Sequence, residues 1–543
     1  MVVPELRPWR AARPHVARFA GAVRPRLART AAAVRPRLAR LRPSRPAGAG
    51  TAAGSRITRS AAWPGTWPGA WRFTVVAATA GTVLAAGAVT AAGPWDSTGQ
   101  RTAEQDRAVA LEATRGTDHG GRGNAGTPPR GPRTAPSAPS VLTGLGGGAT
   151  TVKSAPGGKA LTGALAPLLK SPALGDLSAS VVDVSTGRSV YGDDTGDALT
   201  PASTTKIATA VAVLTALGPD HRLTTRATFE PDTKEVILVG GGDPTLTARE
   251  KNPTGSASLR DLAGRTAAAL AERGVREVTL SYDTTLYPGG QRHPIGVNPN
   301  LAALTPLMAD EARRDNSAAG PADRVADPAA DAARKFGALL KEYGIKATPP
   351  GPSKSTTRAG ALAAVSSPPL ATLVERMLTH SDNDLAEALA RQTAIATGGR
   401  ADFAGASAAV RAQLQKLGVP LKGAVFKDGS GLDRGNRLTA GLLTALLVKS
   451  GDPARPELRP VLTGLPVAGF TGTLAGRYAD GAAGVVRAKT GTLTGVNALA
   501  GTVVDREGRL LAFAFLATGT TDPTAAQAAL DKAATALAAC GCR

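Results

Sequence analysis

Residues 201–217 read PASTTKIATAVAVLTAL. Pro201 ahead of an apolar, helix-forming run predicts a helix that opens at Ser203 and continues to about Leu217. On such a helix residues three apart share a face, so Lys206 projects beside the Ser203 hydroxyl. A serine hydroxyl attacks poorly until a neighbouring base removes its proton. Lys206 serves as that base only when neutral, which requires desolvation or a nearby positive charge to lower its pKa. A helix N-terminus also offers backbone N–H groups to a developing oxyanion. The plainer reading makes Ser203 a helix cap and Lys206 a solvated first-turn lysine, although the helix dipole disfavours lysine there.

Two more short motifs weigh against the plain reading. Ser381-Asp382-Asn383 offers a hydroxyl that can pass a proton to a leaving amine, and an amide that can hold a substrate carbonyl or Lys206. Lys489-Thr490-Gly491 offers a cation and a hydroxyl for a substrate carboxylate, and a glycine that lets a substrate backbone come close. Lys489 also supplies a positive charge that would lower the pKa of Lys206. Singly, the second motif reads equally well as a helix cap before Asp384–Arg391, and the third as an exposed strand end. There is no G-x-S-x-G elbow and no histidine placed for a triad. The five histidines are scattered and form no metal-ligand spacing with cysteine, so neither metal nor cofactor is expected.

Outward from the motifs, Ser178–Val184 and Arg188–Gly192 alternate as a strand pair around a turn. Arg226–Glu230 and Glu235–Val239 read as extended and end at Gly240-Gly241-Gly242-Asp243-Pro244, a tight turn with no catalytic role assigned. Leu259–Arg273 and Arg334–Tyr343 read as helices, and Pro369–Thr397 as a helix-rich stretch. Gly484–Ala488, Asn497–Asp505 and Arg509–Ala517 read as three consecutive strands, with Thr524–Ala539 a closing helix. Strands near both ends with helices between them predict an α/β sandwich. The boundaries expected are a catalytic domain of residues 161–220 and 369–543, interrupted by an inserted domain at 221–368.

The 543-residue chain carries a formal charge of +22, which on its face suggests nucleic acid. Its distribution argues otherwise. Residues 1–72 hold 15 arginines, no lysine and one acid, Glu5, so that segment holds most of the excess. Its repeated Val-Arg-Pro-Arg-Leu-Ala-Arg, at 23–29 and 34–40, reads as a disordered basic cytoplasmic arm suited to anionic headgroups. Residues 73–93 carry no charge and are flanked by Trp63, Trp67, Trp71 and Trp95, as a transmembrane anchor would be. A leader cleaved near Ala91-Ala92-Gly93 is the alternative. Either reading puts the remainder of the chain outside the membrane, on a Gly/Pro/Ser linker at 94–160. The two cysteines, Cys540 and Cys542, read as a tail feature.

The three motifs, in this order, resemble those of the penicillin-binding proteins and serine β-lactamases. Ser203 and Ser381 lie 178 positions apart, far more than in the β-lactamases. That spacing resembles the D-alanyl-D-alanine carboxypeptidase/endopeptidase family of penicillin-binding protein 4, peptidase family S13, whose members insert domains between motifs one and two. Leu238–Leu246 and Asp428-Gly429-Ser430-Gly431-Leu432 also resemble that family, and the likeness covers about Leu161 to Ala539. The resemblance implies a penicillin-binding sandwich of antiparallel sheet and helices. It implies Ser203, Lys206 and Ser381 as catalytic, with Asn383, Lys489, Thr490, Gly491 and Thr492 binding substrate. Backbone N–H groups of Ser203 and Thr492 would form the oxyanion hole, and Asp428 and Ser430 would line the site. Peptidoglycan D-alanyl-D-alanine peptides are the implied partner and β-lactams the implied inhibitors. The rival readings are a β-lactamase, which lacks a clear E-x-x-L-N pattern here, and an inactive, membrane-anchored wall-binding protein.

Overall fold

The computed structural model describes residues 158–541 apart from 253, 479 and 480. The basic arm, the 73–93 span, almost all of the linker, and Cys542 therefore lie outside the described residues. Among the described residues no helix is long and apolar enough to cross a membrane. Cys540 is disulfide-bonded.

The hydrophobic pattern of strand β13 (Leu510–Thr518, LLAFAFLAT) shows how the main sheet is built. Side chains of a strand alternate between faces. Leu511, Phe513, Phe515 and Ala517 enter one core, and Ala512, Ala514 and Leu516 enter another. A strand buried on both faces reads as a continuous apolar run. The phenylalanine face packs against helices α1 (Gly158–Leu169) and α10 (Pro523–Ala539) through Leu161, Leu165 and Leu530. The alanine face is smooth and takes the helical layer. Its strand order is β11 (Val486–Leu493), β12 (Val496–Val504), β13, β1 (Asp176–Asp183) and β2 (Ser189–Asp193), antiparallel throughout. The β1–β13 pairing joins the two ends of the described chain.

The helical layer comprises α2 (Thr205–Leu217), α5 (Leu370–His380), α6 (Asn383–Ala396), α7 (Phe403–Lys416) and α8 (Ala440–Gly451), all contributing to one core. Between α2 and α5 the chain builds a second sheet in the order β7 (Lys346–Ala347), β6 (Glu277–Asp283), β5 (Glu235–Val239), β4 (Thr224–Glu230), β9 (Gly360–Ser366), with β8 (Gly351–Pro352) also on β6. β5 and β6 are parallel, joined through helix α3 (Leu259–Glu272), and β6 and β7 are parallel, joined through α4 (Pro328–Glu342). These helices bury Leu259, Leu262, Phe336 and Leu340 against the sheet. A two-stranded ladder pairs β3 (Ala198–Leu199) with β10 (Leu438–Thr439).

Several boundaries differ from the sequence reading, each for a local reason. The helix expected at Ser203 begins at Thr205, because Ala202–Thr204 forms a 3-10 turn first. The stretch at 369–397 is two helices, broken where Ser381 adopts φ 57° and Asp382 caps the second through Leu385 N. Helix α4 starts six residues earlier than expected, because Asp327 caps it and Pro328 occupies its first position. β11 runs on to Leu493, so Lys489 lies mid-strand rather than at an end.

The glycine run at 240–242 is more than a turn. A Cβ on Gly241 would lie 2.0 Å from the Thr224 carbonyl oxygen, so the loop is pressed against the start of β4. Gln392 Nε2 of α6 donates to Gly241 O at 3.1 Å and meets the Tyr287 hydroxyl at 3.2 Å. The run is a joint between the second sheet and the helix that carries motif two. The obstacle at Gly241 is backbone, which cannot rotate away, so Gly241→Ala is expected to cost about 3 kcal/mol. Thermal unfolding of the purified protein should show a midpoint several degrees lower; an unchanged midpoint would contradict this packing.

Candidate active site

The 3-10 turn that carries Ser203 is wedged between two glycines. A Cβ on Gly491 of β11 would lie 2.6 Å from Pro201 O, and one on Gly431 would lie 1.9 Å from Ala202 O. Ala202 itself takes a positive φ of 47°. The serine is thus held by close backbone approach on two sides.

Lys206, one turn later, is fully buried. Its Nζ lies 3.1 Å from Ser203 Oγ, 2.6 Å from Asn383 Oδ1 and 2.7 Å from Ser430 O. Three acceptors match the three donors of an ammonium. When the lysine is neutral, its free electron pair can accept from Ser203, and the hydroxyl becomes the donor. Burial pulls the Lys206 pKa down to about 8, against the opposing pull of Asp428, Glu387, Asp382 and Asp384. Lys489 is also fully buried, and its pKa is held well below the usual range by burial first and the Lys206 charge second. Loss of water is the leading cause for both, and the charge effect runs from Lys206 to Lys489, not from Lys489 to Lys206. The sequence reading gave Lys489 that role for Lys206.

Asn383 opens α6. Its Nδ2 donates to Asn300 O at 3.0 Å, which turns Oδ1 toward Lys206. The neighbouring Asp384 accepts from Ala302 N at 2.9 Å and pairs with Arg324 at 2.9 Å. Burial raises the Asp384 pKa to about 6. Glu311, raised to about 7 by burial and then by Asp382, meets Arg313 at 2.8 Å and also Arg376. Lys489 Nζ donates to Thr490 O at 2.8 Å, and the Thr490 hydroxyl donates to Thr473 Oγ1 at 3.0 Å.

A cleft of about 410 Å³ collects Ser203, Ser381, Asn383, Thr490 and Thr492 along its walls. Lys206, Lys489 and Gly491 are buried behind them. All eight residues singled out in the sequence therefore lie in or behind one cleft wall. Asp428 and Ser430 belong to the loop behind Lys206, and what reaches the lysine is the Ser430 backbone carbonyl. The sequence reading missed Arg313, Arg324 and Arg477, which also line the cleft. Each is paired with a carboxylate: Glu311, Asp384 and Asp531 respectively. Nothing in their local sequence separates them from the chain's other arginines. Asn300 was missed too, because its contribution is a backbone carbonyl.

The chain matches the family described as "D-Ala-D-Ala carboxypeptidase 3 (S13) family" over residues 161–300 and 313–539. It is 37% identical over 402 residues to carboxypeptidase DacB of Mycolicibacterium smegmatis, covering 71% of this chain and 85% of that protein. It is 30% identical over 435 residues to the D-alanyl-D-alanine carboxypeptidase of Actinomadura sp. strain R39, covering 66% and 80%. The crystal structure of penicillin binding protein 4 (dacB) from Haemophilus influenzae shares the fold at a TM-score of 0.56 and 21% identity, over 69% of this chain and 97% of that one.

The Lys206 environment sets a pH dependence. With a pKa of about 8, the lysine sheds its proton as pH rises through that value. Acylation by a penicillin should therefore rise with pH to a plateau above 8, and at pH 6 fall about a hundredfold below it, two pKa units down. Stopped-flow acylation between pH 5.5 and 9.5 measures this; a flat profile would rule out a neutral Lys206 as the base.

Proposed function

The chain belongs to the D-Ala-D-Ala carboxypeptidase family S13 and is a penicillin-binding, serine-type D-alanyl-D-alanine carboxypeptidase, and on that premise we propose how its own residues perform the reaction. The observation that carries the proposal is Lys206 Nζ, buried and 3.1 Å from Ser203 Oγ. The Ser203 hydroxyl transfers its proton to neutral Lys206 as Oγ attacks the carbonyl of the penultimate D-alanine. The backbone N–H groups of Ser203 and Thr492 receive the oxyanion. The proton then passes from Lys206 through the Ser381 hydroxyl to the leaving nitrogen, and the C–N bond breaks. Water attacks the acyl-Ser203 ester, gives up a proton along the same path, and restores the serine.

Substrate binding is governed by charge. The departing D-alanine carries a carboxylate, which Thr490 can bind by its hydroxyl and Lys489 by its field. Arg313, Arg324 and Arg477 add positive potential to the cleft, although each is already paired. Asn383 steadies Lys206 and presents its amide edge to the substrate's peptide. Gly491 leaves room for the substrate backbone beside β11. Neither metal nor cofactor enters these steps.

The domain boundaries proposed are 161–220 with 369–543 for catalysis and 221–368 for the insertion, within which the second sheet falls. We place the catalytic domain outside the cell membrane, on the 94–160 linker and the 73–93 anchor, with peptidoglycan peptides as partner. The uncharged, tryptophan-flanked composition of that span supports the anchor. Fractionation tests it: full-length chain should stay with the membrane, and a shortened chain free in the medium would replace the anchor with a cleaved leader.

Intact-protein and peptide mass spectrometry after penicillin treatment should place one adduct on Ser203. Ser203→Ala should show no adduct and release no D-alanine from a D-alanyl-D-alanine pentapeptide. An adduct elsewhere would overturn the assignment, and rapid multiple-turnover penicillin hydrolysis would favour the β-lactamase reading.

A further inference from the structure

The lysine's third acceptor has an unusual support. Ser430 O accepts from Lys206 at 2.7 Å, and a carbonyl direction is fixed only if the peptide units on either side are fixed. Two buried carboxylates do this. One oxygen of Glu387, Oε1, accepts from both Gly429 N at 3.0 Å and Ser430 N at 2.9 Å. Asp428 takes the other side of the loop. Its Oδ1 accepts from Gly431 N at 2.7 Å and Asn436 Nδ2 at 2.8 Å, and its Oδ2 accepts from Asp433 N at 2.6 Å.

Glu387 lies one helical turn after Asn383 on α6. Helix α6 therefore supplies one acceptor of Lys206 directly, through Asn383, and sets another through Glu387. The second oxygen, Glu387 Oε2, is buried without a hydrogen bond among the described residues, 3.9 Å from Arg391 Nη1. Arg391 is itself pinned over the Phe403 ring at 4.2 Å, with Nε donating to Ala401 O. A buried carboxylate keeps its place when hydrogen-bonded and faced by opposite charge, and Glu387 has both.

The Ser430 hydroxyl also donates to Asp428 Oδ2 at 3.3 Å, and a further contact comes from the segment between motifs one and two. His293 Nε2 lies 3.0 Å from Asp428 Oδ2. Its Nδ1 accepts from Ile295 N at 3.2 Å, so in the neutral ring Nε2 carries the hydrogen and donates to Asp428. The ring packs edge-on against Phe403 at 5.0 Å.

We infer that Glu387, and His293 through Asp428, are positioning residues for the acylation step: they aim the Ser430 carbonyl at Lys206 and so hold its amine in line with Ser203. This rests on the reading of Ser203 and Lys206 as the catalytic pair. Neither Glu387 nor His293 lines the cleft that receives substrate. Their loss should slow bond formation and leave non-covalent penicillin binding in place. Glutamine at 387 keeps an oxygen for the two N–H groups, and glutamine at 293 keeps a donor for Asp428.

The test is acylation of the full-length protein by a fluorescent penicillin over a range of concentrations, which separates the rate constant of acylation from the dissociation constant of the first complex. A misplacement of the base near 1 Å costs about a hundredfold, so Glu387→Ala should lose about that much in rate constant, with the dissociation constant within about threefold. Glu387→Gln should recover to within about tenfold of the parent. His293→Ala removes one of several contacts to Asp428 and leaves the helix core intact; it should slow acylation about tenfold, and His293→Gln should restore most of that. Equal losses in the alanine and glutamine pairs, or a His293→Ala rate within twofold of the parent, would overturn the inference. If the parent protein does not label at Ser203, the catalytic reading fails instead, and the two failures are distinguished in one experiment.

Discussion

An amino group enclosed by protein loses the water that would stabilise its charge, and the structure must replace that water or leave the group neutral. Lys206 is enclosed completely, and three oxygens from three distant parts of the chain stand in for its solvent. Those oxygens belong to a 3-10 turn, the first residue of a helix 177 positions later, and a loop 224 positions later. Every layer of the fold bears on that meeting point. Four nearby carboxylates oppose the desolvation, which leaves the lysine near pH 8 rather than far below it. A base poised close to the ambient pH combines availability with proton affinity.

The main sheet brings the other wall to the lysine. Alternation along β12 and β13 puts alanines on one face, and those small side chains let the helical layer sit close. The same tight packing makes Gly491 obligatory beside Pro201, which seats the serine turn against β11. Lys489 is buried there with Lys206, and its pKa is lowered by burial and then by the Lys206 charge. An incoming carboxylate would favour the charged form of both amines, so it is burial, the leading cause of the low Lys206 pKa, that keeps the base available.

Motif residues were legible in the sequence because their chemistry is in their side chains and their order along the chain. Ser203, Lys206, Ser381, Asn383 and Lys489 were found that way, and the apolar stretch at Arg509–Ala517 read as a strand. Three kinds of feature were not legible. Backbone contributors, such as Ser430 O and Asn300 O, leave no residue type to notice. Paired arginines resemble surface arginines until their partners are known. Backbone geometry was hidden as well: Asp310, Glu311 and Ala312 all take positive φ, between 53° and 55°. That left-handed turn costs roughly 1–2 kcal/mol per residue, and no propensity scale would propose it.

That strained turn indicates what the long segment between the first two motifs is for. Asp310 N and Glu311 N are held by Leu246 O and Pro244 O, directly after the glycine run. Asp310 Oδ1 accepts from Thr247 and pairs with Arg249. With the turn fixed, Glu311 reaches Arg376 of α5, and Arg324 reaches both Glu311 O and Asp384 of α6. Asn300 and Ala302 complete the grip on Asn383 and Asp384, and His293 reaches Asp428. The segment therefore touches Asn383 directly and reaches the loop of Ser430 through Asp428. A structure that only needed a spacer would not keep three left-handed residues in a row. The turn holds Glu311 against Arg376, which also pairs with Asp382 of motif two at 3.4 Å.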